Sequence, residues 1–281
     1  MLYSDVFLIQ NISPKDLRQV NDHSEVLEAA NYICRKVTGY RKGCYYFTGK
    51  NRASSGIGAA TAKELSKQGA LLSLTGRNEE RLAQIADECK KLGAKDVLHV
   101  VGDLSKQDDM EKIIKETTDK FGEIHVLVNN AGFAAMSPIA DFTLDQFDRC
   151  FNVNVRAVLY LTKLALPYLE KTKGNIVNIS SISSSVYTLP GFIIYGTTKA
   201  ASDHITKASA LELAKNGVRV NAVNPAAVET NFGTVALTPM GLDEEQIKAT
   251  WAENEKLHPL NQRNIKVEEV VDAILFLTKQ R

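Results

Sequence analysis

Cys44-Tyr45-Tyr46-Phe47-Thr48-Gly49-Lys50-Asn51-Arg52-Ala53-Ser54-Ser55-Gly56-Ile57-Gly58 is the stretch on which the reading of this chain turns. Its first five residues are aromatic, β-branched or apolar and read as a short buried strand. A glycine-bearing loop follows, and then a helix from about Ile57 to Gln68. Glycines in such a loop let the main chain approach a pyrophosphate. The helix start behind them offers unpaired N–H groups and partial positive charge. A glycine-rich loop alone is weak evidence; its weight comes from the strand before it and the units after it.

Those units continue as strand, helix, strand. Ala70 to Thr75 reads as a second strand and Glu79 to Leu92 as an amphipathic helix. Val97 to Val101 is a third strand, followed by a helix from about Lys106 to Phe121. Val126 to Asn129 is a fourth strand, followed by a long helix from Leu144 to Leu169. Ile176 to Ile179, a helix from Tyr195 to Lys215, and a sixth strand from Val218 to Val223 complete the series. Alternation of this kind predicts an α/β fold, a doubly wound parallel sheet of Rossmann-like type with six strands. Residues 1–43 do not share the pattern and read as an N-terminal appendage with room for one helix starting at Ser13-Pro14. Residues 44–281 read as the dinucleotide-binding catalytic domain.

The totals narrow the choice of function. The chain has 281 residues, 44% hydrophobic and 24% charged, with a net charge of +1. Near-neutrality gives no electrostatic reason to expect a nucleic-acid partner. Cys34, Cys44, Cys89 and Cys150 are scattered, with no CxxC pair and no histidine cluster beside them, so neither a metal site nor a disulfide framework is expected. No apolar run approaches the roughly 18 residues that a membrane span needs. The start lacks a basic n-region, so the expected location is cytoplasmic.

A second stretch carries the chemistry. Ser181-Ile182-Ser183-Ser184-Ser185 follows the fifth strand, and Tyr195 and Lys199 then fall at i and i+4 on a helix. That spacing stacks the phenol and the ammonium on one face. A cation there favours the phenolate and draws the tyrosine towards neutrality, which suits it to exchange a proton with a carbonyl or an alcohol.

Gly49, Gly56-Ile57-Gly58, Asn129-Asn130-Ala131-Gly132, Asn154, Ser181, Tyr195, Lys199 and Asn224-Pro225 together resemble the short-chain dehydrogenase/reductase family over about residues 44–278. The resemblance implies a Ser-Tyr-Lys-Asn catalytic set. Tyr195 would be the acid/base, and Lys199 would hold the nicotinamide ribose and lower the tyrosine pKa. Ser181 would hydrogen-bond the substrate oxygen, and Asn154 would position a water in a proton relay. It implies cofactor contacts at Gly49, Ser55, Ile57 and Gly58, at Asp103 and Leu104 near the adenine, and at Asn130, Ala131 and Gly132. Tyr195, Lys199, Pro225, Val228 and Thr230 would lie by the nicotinamide. Ser183 and Ser184 stay open for the serine role, because Ser181 precedes Tyr195 by one position more than is usual in the family. Asp103 also reads as a helix cap.

Three features depart from the family pattern. The Gly49–Gly56 loop is enlarged, as though Lys50-Asn51-Arg52 were inserted. Ala226 stands where a glycine commonly follows the proline. The sequence stops at Arg281, short of the family's final edge strand. Leu74-Thr75-Gly76-Arg77 places no carboxylate at the end of strand two, and Arg77 suits a ribose 2′-phosphate. The expected cofactor is therefore NADP(H). Ala226 to Ile247 contains no Lys or Arg and reads as a lid beside the pocket, which favours an apolar carbonyl or alcohol or a 3-oxoacyl-like substrate. The alternative is a weak or inactive cofactor-binding member that acts through protein partners. Small residues on the helix from Tyr195 to Lys215, with the family's helix pairing, imply a homodimer.

Overall fold

The structure, a computed structural model, describes residues 44–48 (main chain only), 56–186, 190–228, 230, 232, 243–256 and 263–279. The appendage at 1–43, Gly49, Ser55, the Lys50-Asn51-Arg52 segment and most of the expected lid lie outside the described residues.

Six strands form one parallel sheet: β1 Cys44–Thr48, β2 Leu71–Gly76, β3 Asp96–Val101, β4 Val126–Asn129, β5 Asn175–Ile179 and β6 Arg219–Val223. Their order is β3-β2-β1-β4-β5-β6. Chain direction across the sheet reverses between β1 and β4, which opens a crevice at the carboxyl ends of those two strands. Every residue of β4 and β5 is buried. That explains the continuous apolar runs, since parallel strands are covered on both faces.

Helices cover the two faces unequally. On one face α1 (Gly56–Ser66), α2 (Glu79–Lys91) and α8 (Val267–Thr278) bury Leu65, Leu82, Ile85, Val270 and Ile274 against Leu72, Leu74 and Val177. On the other, α3 (Gln107–Phe121) and α5 (Ala157–Thr172) bury Met110, Ile113, Leu161 and Leu169 with Leu127 and Ile176. Further helices are α4 (Leu144–Phe151), α6 (Ile193–Leu213), whose Leu213 joins that second cluster, and α7 (Glu244–Lys256). Local chemistry sets the ends. Asn78 caps α2 by accepting from the Arg81 N–H at 2.8 Å, Thr143 and Gln146 form a reciprocal capping box on α4, and α3 stops at Gly122 with φ 74°.

The expected single helix from Leu144 to Leu169 differs in one respect. Between α4 and α5 the residues Asn152–Arg156 form a π turn. Asn152-Val153-Asn154-Val155 are weak helix formers, and the wider turn re-aims the asparagine side chain. Pro167 lies inside α5 at an exposed position, where solvent can satisfy the carbonyl that it frees. Two further helices, α7 and α8, follow the sixth strand, where no element was assigned from sequence. Among the described residues no helix is long and apolar enough to cross a membrane.

An asparagine–threonine chain ties the sheet to α6. Asn129 pairs with Asn178 in the β4–β5 register, and its Nδ2 donates to Asn178 Oδ1 at 2.8 Å. Asn178 Nδ2 then donates to Thr206 Oγ1 at 2.9 Å. A buried polar chain of this kind fixes one registration of the helix on the sheet, because any slip would leave amides unpaired.

Candidate active site

The first turns of α6 meet the end of β5. Lys199 is 4% exposed, and its Nζ donates to the carbonyl of Ile179 at 2.7 Å, the last residue of that strand. A buried ammonium requires acceptors, and the strand end supplies one. The same Nζ lies 5.6 Å from the ring centre of Tyr195, so the i, i+4 pair does share one face. Tyr195 is 6% exposed, packed between Phe192 in an edge-on arrangement at 5.5 Å and Phe232 at 5.7 Å, with Ala134 and Met136 beside it.

The hydroxyl-rich turn stands next to that pair. Ser181 has an extended main chain, and its Oγ accepts from the Ser183 N–H at 3.2 Å as Ile182–Ser184 winds into a short 3₁₀ turn. A hydroxyl that accepts in this way still has its own proton to donate. Ser184 Oγ accepts from Asn224 Nδ2 at 3.1 Å. Gly196 makes the approach possible, since a Cβ there would lie 2.8 Å from the Ser183 carbonyl oxygen. Asn224, at the end of β6, also donates to Asp203 Oδ2 at 2.9 Å, and the Ile182 N–H donates to the Pro225 carbonyl at 3.0 Å. Asp203 was not singled out from the sequence, although it follows Lys199 at i+4 and so lies on its face.

Asn154 is 1% exposed in the π turn. Its Oδ1 accepts from the Phe133 N–H at 2.7 Å, and its Nδ2 donates to the Phe133 carbonyl at 2.8 Å and to Thr198 Oγ1 at 2.8 Å. Asn154 is thus bonded to α6 through Thr198, Lys199 to the end of β5, and Ser181 opens the turn that directly follows that strand.

The side expected to take a dinucleotide is built differently. Gly56 opens α1 with φ +59°, and a Cβ there would lie 3.4 Å from Thr230 Cγ2. Thr230 Oγ1 accepts from the Phe232 N–H at 3.3 Å. Ile57 is half-buried and Gly58 buried in the first turn, while Arg77 is exposed just beyond β2. Asp103 Oδ1 accepts from the N–H and hydroxyl of Ser105 at 3.0 and 2.8 Å, forming the turn into α3. Leu104 is 1% exposed and packs in the core beside Met110. Ala131, Gly132, Pro225 and Val228 are buried, and Val228 bridges Ile265. Asn130 is 1% exposed, yet among the described residues neither polar atom of its amide has a hydrogen-bond partner, nor does Asn129 Oδ1. Such groups call for a partner. Together with a left-handed glycine opening a helix at the sheet's switch point, they fit a bound dinucleotide.

Fold and site thus define a Rossmann-type protein with a buried tyrosine–lysine pair. The family model for short chain dehydrogenases matches residues 48–238, and the chain belongs to that family. An uncharacterized oxidoreductase of Staphylococcus aureus is 33% identical over 230 residues, 81% of this chain and 88% of the relative. One from Staphylococcus epidermidis is 39% identical over 179 residues, 63% and 76% of the two chains. Among solved structures, a short-chain dehydrogenase/reductase of unknown function from Caenorhabditis elegans, crystallised with cofactor, superposes with a TM-score of 0.75 at 35% identity, covering 84% of this chain and 88% of that one. A levodione reductase superposes with a TM-score of 0.77 at 27% identity, covering 86% and 92%.

Proposed function

We propose that this chain is an NADP(H)-dependent oxidoreductase acting on a carbonyl or secondary alcohol, apolar or 3-oxoacyl-like, with Ser181, Tyr195, Lys199 and Asn154 as its catalytic set. The observation that carries the reading is the seating of Lys199, whose ammonium is fixed by the Ile179 carbonyl and held over the Tyr195 ring. The cofactor supplies the hydride when bound. Tyr195 gives or takes the proton at its phenol oxygen. Ser181 hydrogen-bonds the substrate oxygen through its hydroxyl and keeps its proton. Lys199, Asn130, Ala131, Gly132 and the α1 start hold the cofactor, and Arg77 receives the 2′-phosphate.

The aromatic and apolar neighbours of Tyr195 support an apolar substrate, because they exclude water from the reacting carbonyl. Exposed Leu159 on α5, with Ile193 and Leu211 on α6, supports a homodimer through those helices. NADPH consumption against a panel of ketones, aldehydes and cyclic diketones tests the activity. The expected outcome is turnover of apolar carbonyls, faster with NADPH than with NADH. Tight NADPH binding without turnover of any carbonyl would instead identify a cofactor-binding member that works through partners.

A further inference from the structure

The hydroxyl of Thr198 connects two parts of the site that the sequence does not link. Thr198 is fully buried on α6, one residue before Lys199. Its Oγ1 accepts from Asn154 Nδ2 at 2.8 Å and donates to the carbonyl of Tyr195 at 2.7 Å. A hydroxyl has one proton to give, so the two bonds have a fixed direction, from amide to hydroxyl to carbonyl. The same Nδ2 also donates to the Phe133 carbonyl, and at the amide's other end Oδ1 accepts from the Phe133 N–H. Phe133 directly follows Ala131 and Gly132, which belong to the proposed cofactor wall. One turn along α6, Ser202 Oγ donates to the Asn154 carbonyl at 3.0 Å, so the π turn is fastened to the helix at two points on one face.

We propose that Thr198 is a positioning residue: its hydroxyl locks the Asn154 amide between the Phe133 main chain and the Tyr195 carbonyl, holding proton donor and cofactor wall in one register. This rests on the catalytic reading above. A π turn alone would leave Asn154 free to choose among acceptors. Phe133 occupies one hydrogen of Nδ2, and Thr198 is the strong acceptor for the second, with Cys150 Sγ a weaker contact at 3.4 Å. Removing the hydroxyl would leave the second buried N–H only the weaker sulfur contact and loosen the amide's hold on α6. Displacements of about 1 Å between reacting groups can cost about 100-fold in rate.

The experiment compares T198V, which keeps the shape and removes the hydroxyl, with T198S, which keeps the hydroxyl. T198V should lower kcat about 10- to 100-fold while KM for NADPH changes little, and T198S should retain wild-type kcat within a few-fold. Amide hydrogen exchange at Phe133 supplies a readout independent of turnover. Its protection should fall in T198V and persist in T198S, because Asn154 Oδ1 accepts that N–H. If T198V does not fold, T198C, with a weakly bonding thiol of similar size, takes its place. Wild-type kcat and unchanged Phe133 protection in T198V would overturn the proposal, as would equal losses in T198S and T198V. Absence of turnover in the wild-type protein would instead refute the catalytic reading, and Phe133 exchange would still decide the role of Thr198.

Discussion

Asn130 and Asn154 are equally buried, at 1% exposure, and are bonded in opposite ways. Asn154, in the π turn, uses both ends of its amide on Phe133 and Thr198. Asn130, at the crevice beside β1, uses neither end. The contrast extends to their surroundings. Around the tyrosine, Lys199 bonds the Ile179 carbonyl, Asn224 bonds Asp203 and Ser202 bonds the Asn154 carbonyl. On the crevice side, Asn129 Oδ1 is also without a partner and Arg77 projects to solvent. A closed polar network rigidifies what it holds, and an open one retains capacity to bind. Under the proposed function, the first region is the preorganised one for proton transfer, and the second keeps polar groups for a cofactor.

The largest effect that would break this comparison belongs to the phenol. Tyr195→Phe should lower kcat by about 10²- to 10⁴-fold while NADPH still binds, because only the transferable proton is lost. Steady-state kinetics with parallel NADPH titration measure both, and retained turnover would remove Tyr195 as the proton donor. On the crevice side, Arg77→Ala should reduce the preference for NADPH over NADH by roughly 10- to 100-fold, the range for a charge-assisted hydrogen bond of about 1.5–3 kcal/mol. Equal affinity of the wild-type protein for the two cofactors, read by fluorescence titration, would end the assignment of Arg77 to the phosphate.

The two asparagines allow a direct comparison in stability. Asn154→Ala should cost about 1–3 kcal/mol, since it strands the partly buried main-chain N–H and carbonyl of Phe133. Asn130→Ala removes an amide that bonds to nothing and should cost less in the ligand-free protein. Added NADPH should raise Tm less in Asn130→Ala than in wild type. Urea denaturation with and without NADPH checks both, and equal costs without ligand would erase the distinction between the regions.

The smallest effect lies before α8. Arg263 donates to both carboxylate oxygens of Glu269, at 2.9 and 2.7 Å, and with the Lys266 N–H holds its pKa down from 4.5 to about 2. A folded value below the unfolded one means that the contribution is complete above about pH 4.5 and disappears as pH falls towards 2. The pair is half-exposed, so Arg263→Ala should cost no more than about 1 kcal/mol near neutrality. The difference from wild type should shrink through that acid window, as denaturant titrations at several pH values would reveal.

The strands and the helices before β6 were legible because periodicity reflects burial, and each lies within a few residues of its expected span. The i, i+4 placement of Tyr195 and Lys199 was legible for the same reason, since helix geometry follows from local spacing. The π turn was not. A run of weak helix formers allows a wider turn, but the bonds to Phe133 and Thr198 come from residues 21 and 44 positions away. Nor did the sequence show which of Asn130 and Asn154 would find hydrogen-bond partners. Both are amides at motif positions, and only the packing of α6 against the π turn decides which of them finds partners. Spacing along the chain thus determined the order of strands and helices and brought Tyr195 and Lys199 onto one face. Tertiary structure alone decided which buried polar groups are satisfied, because the acceptor for each donor is supplied by a different element of the fold.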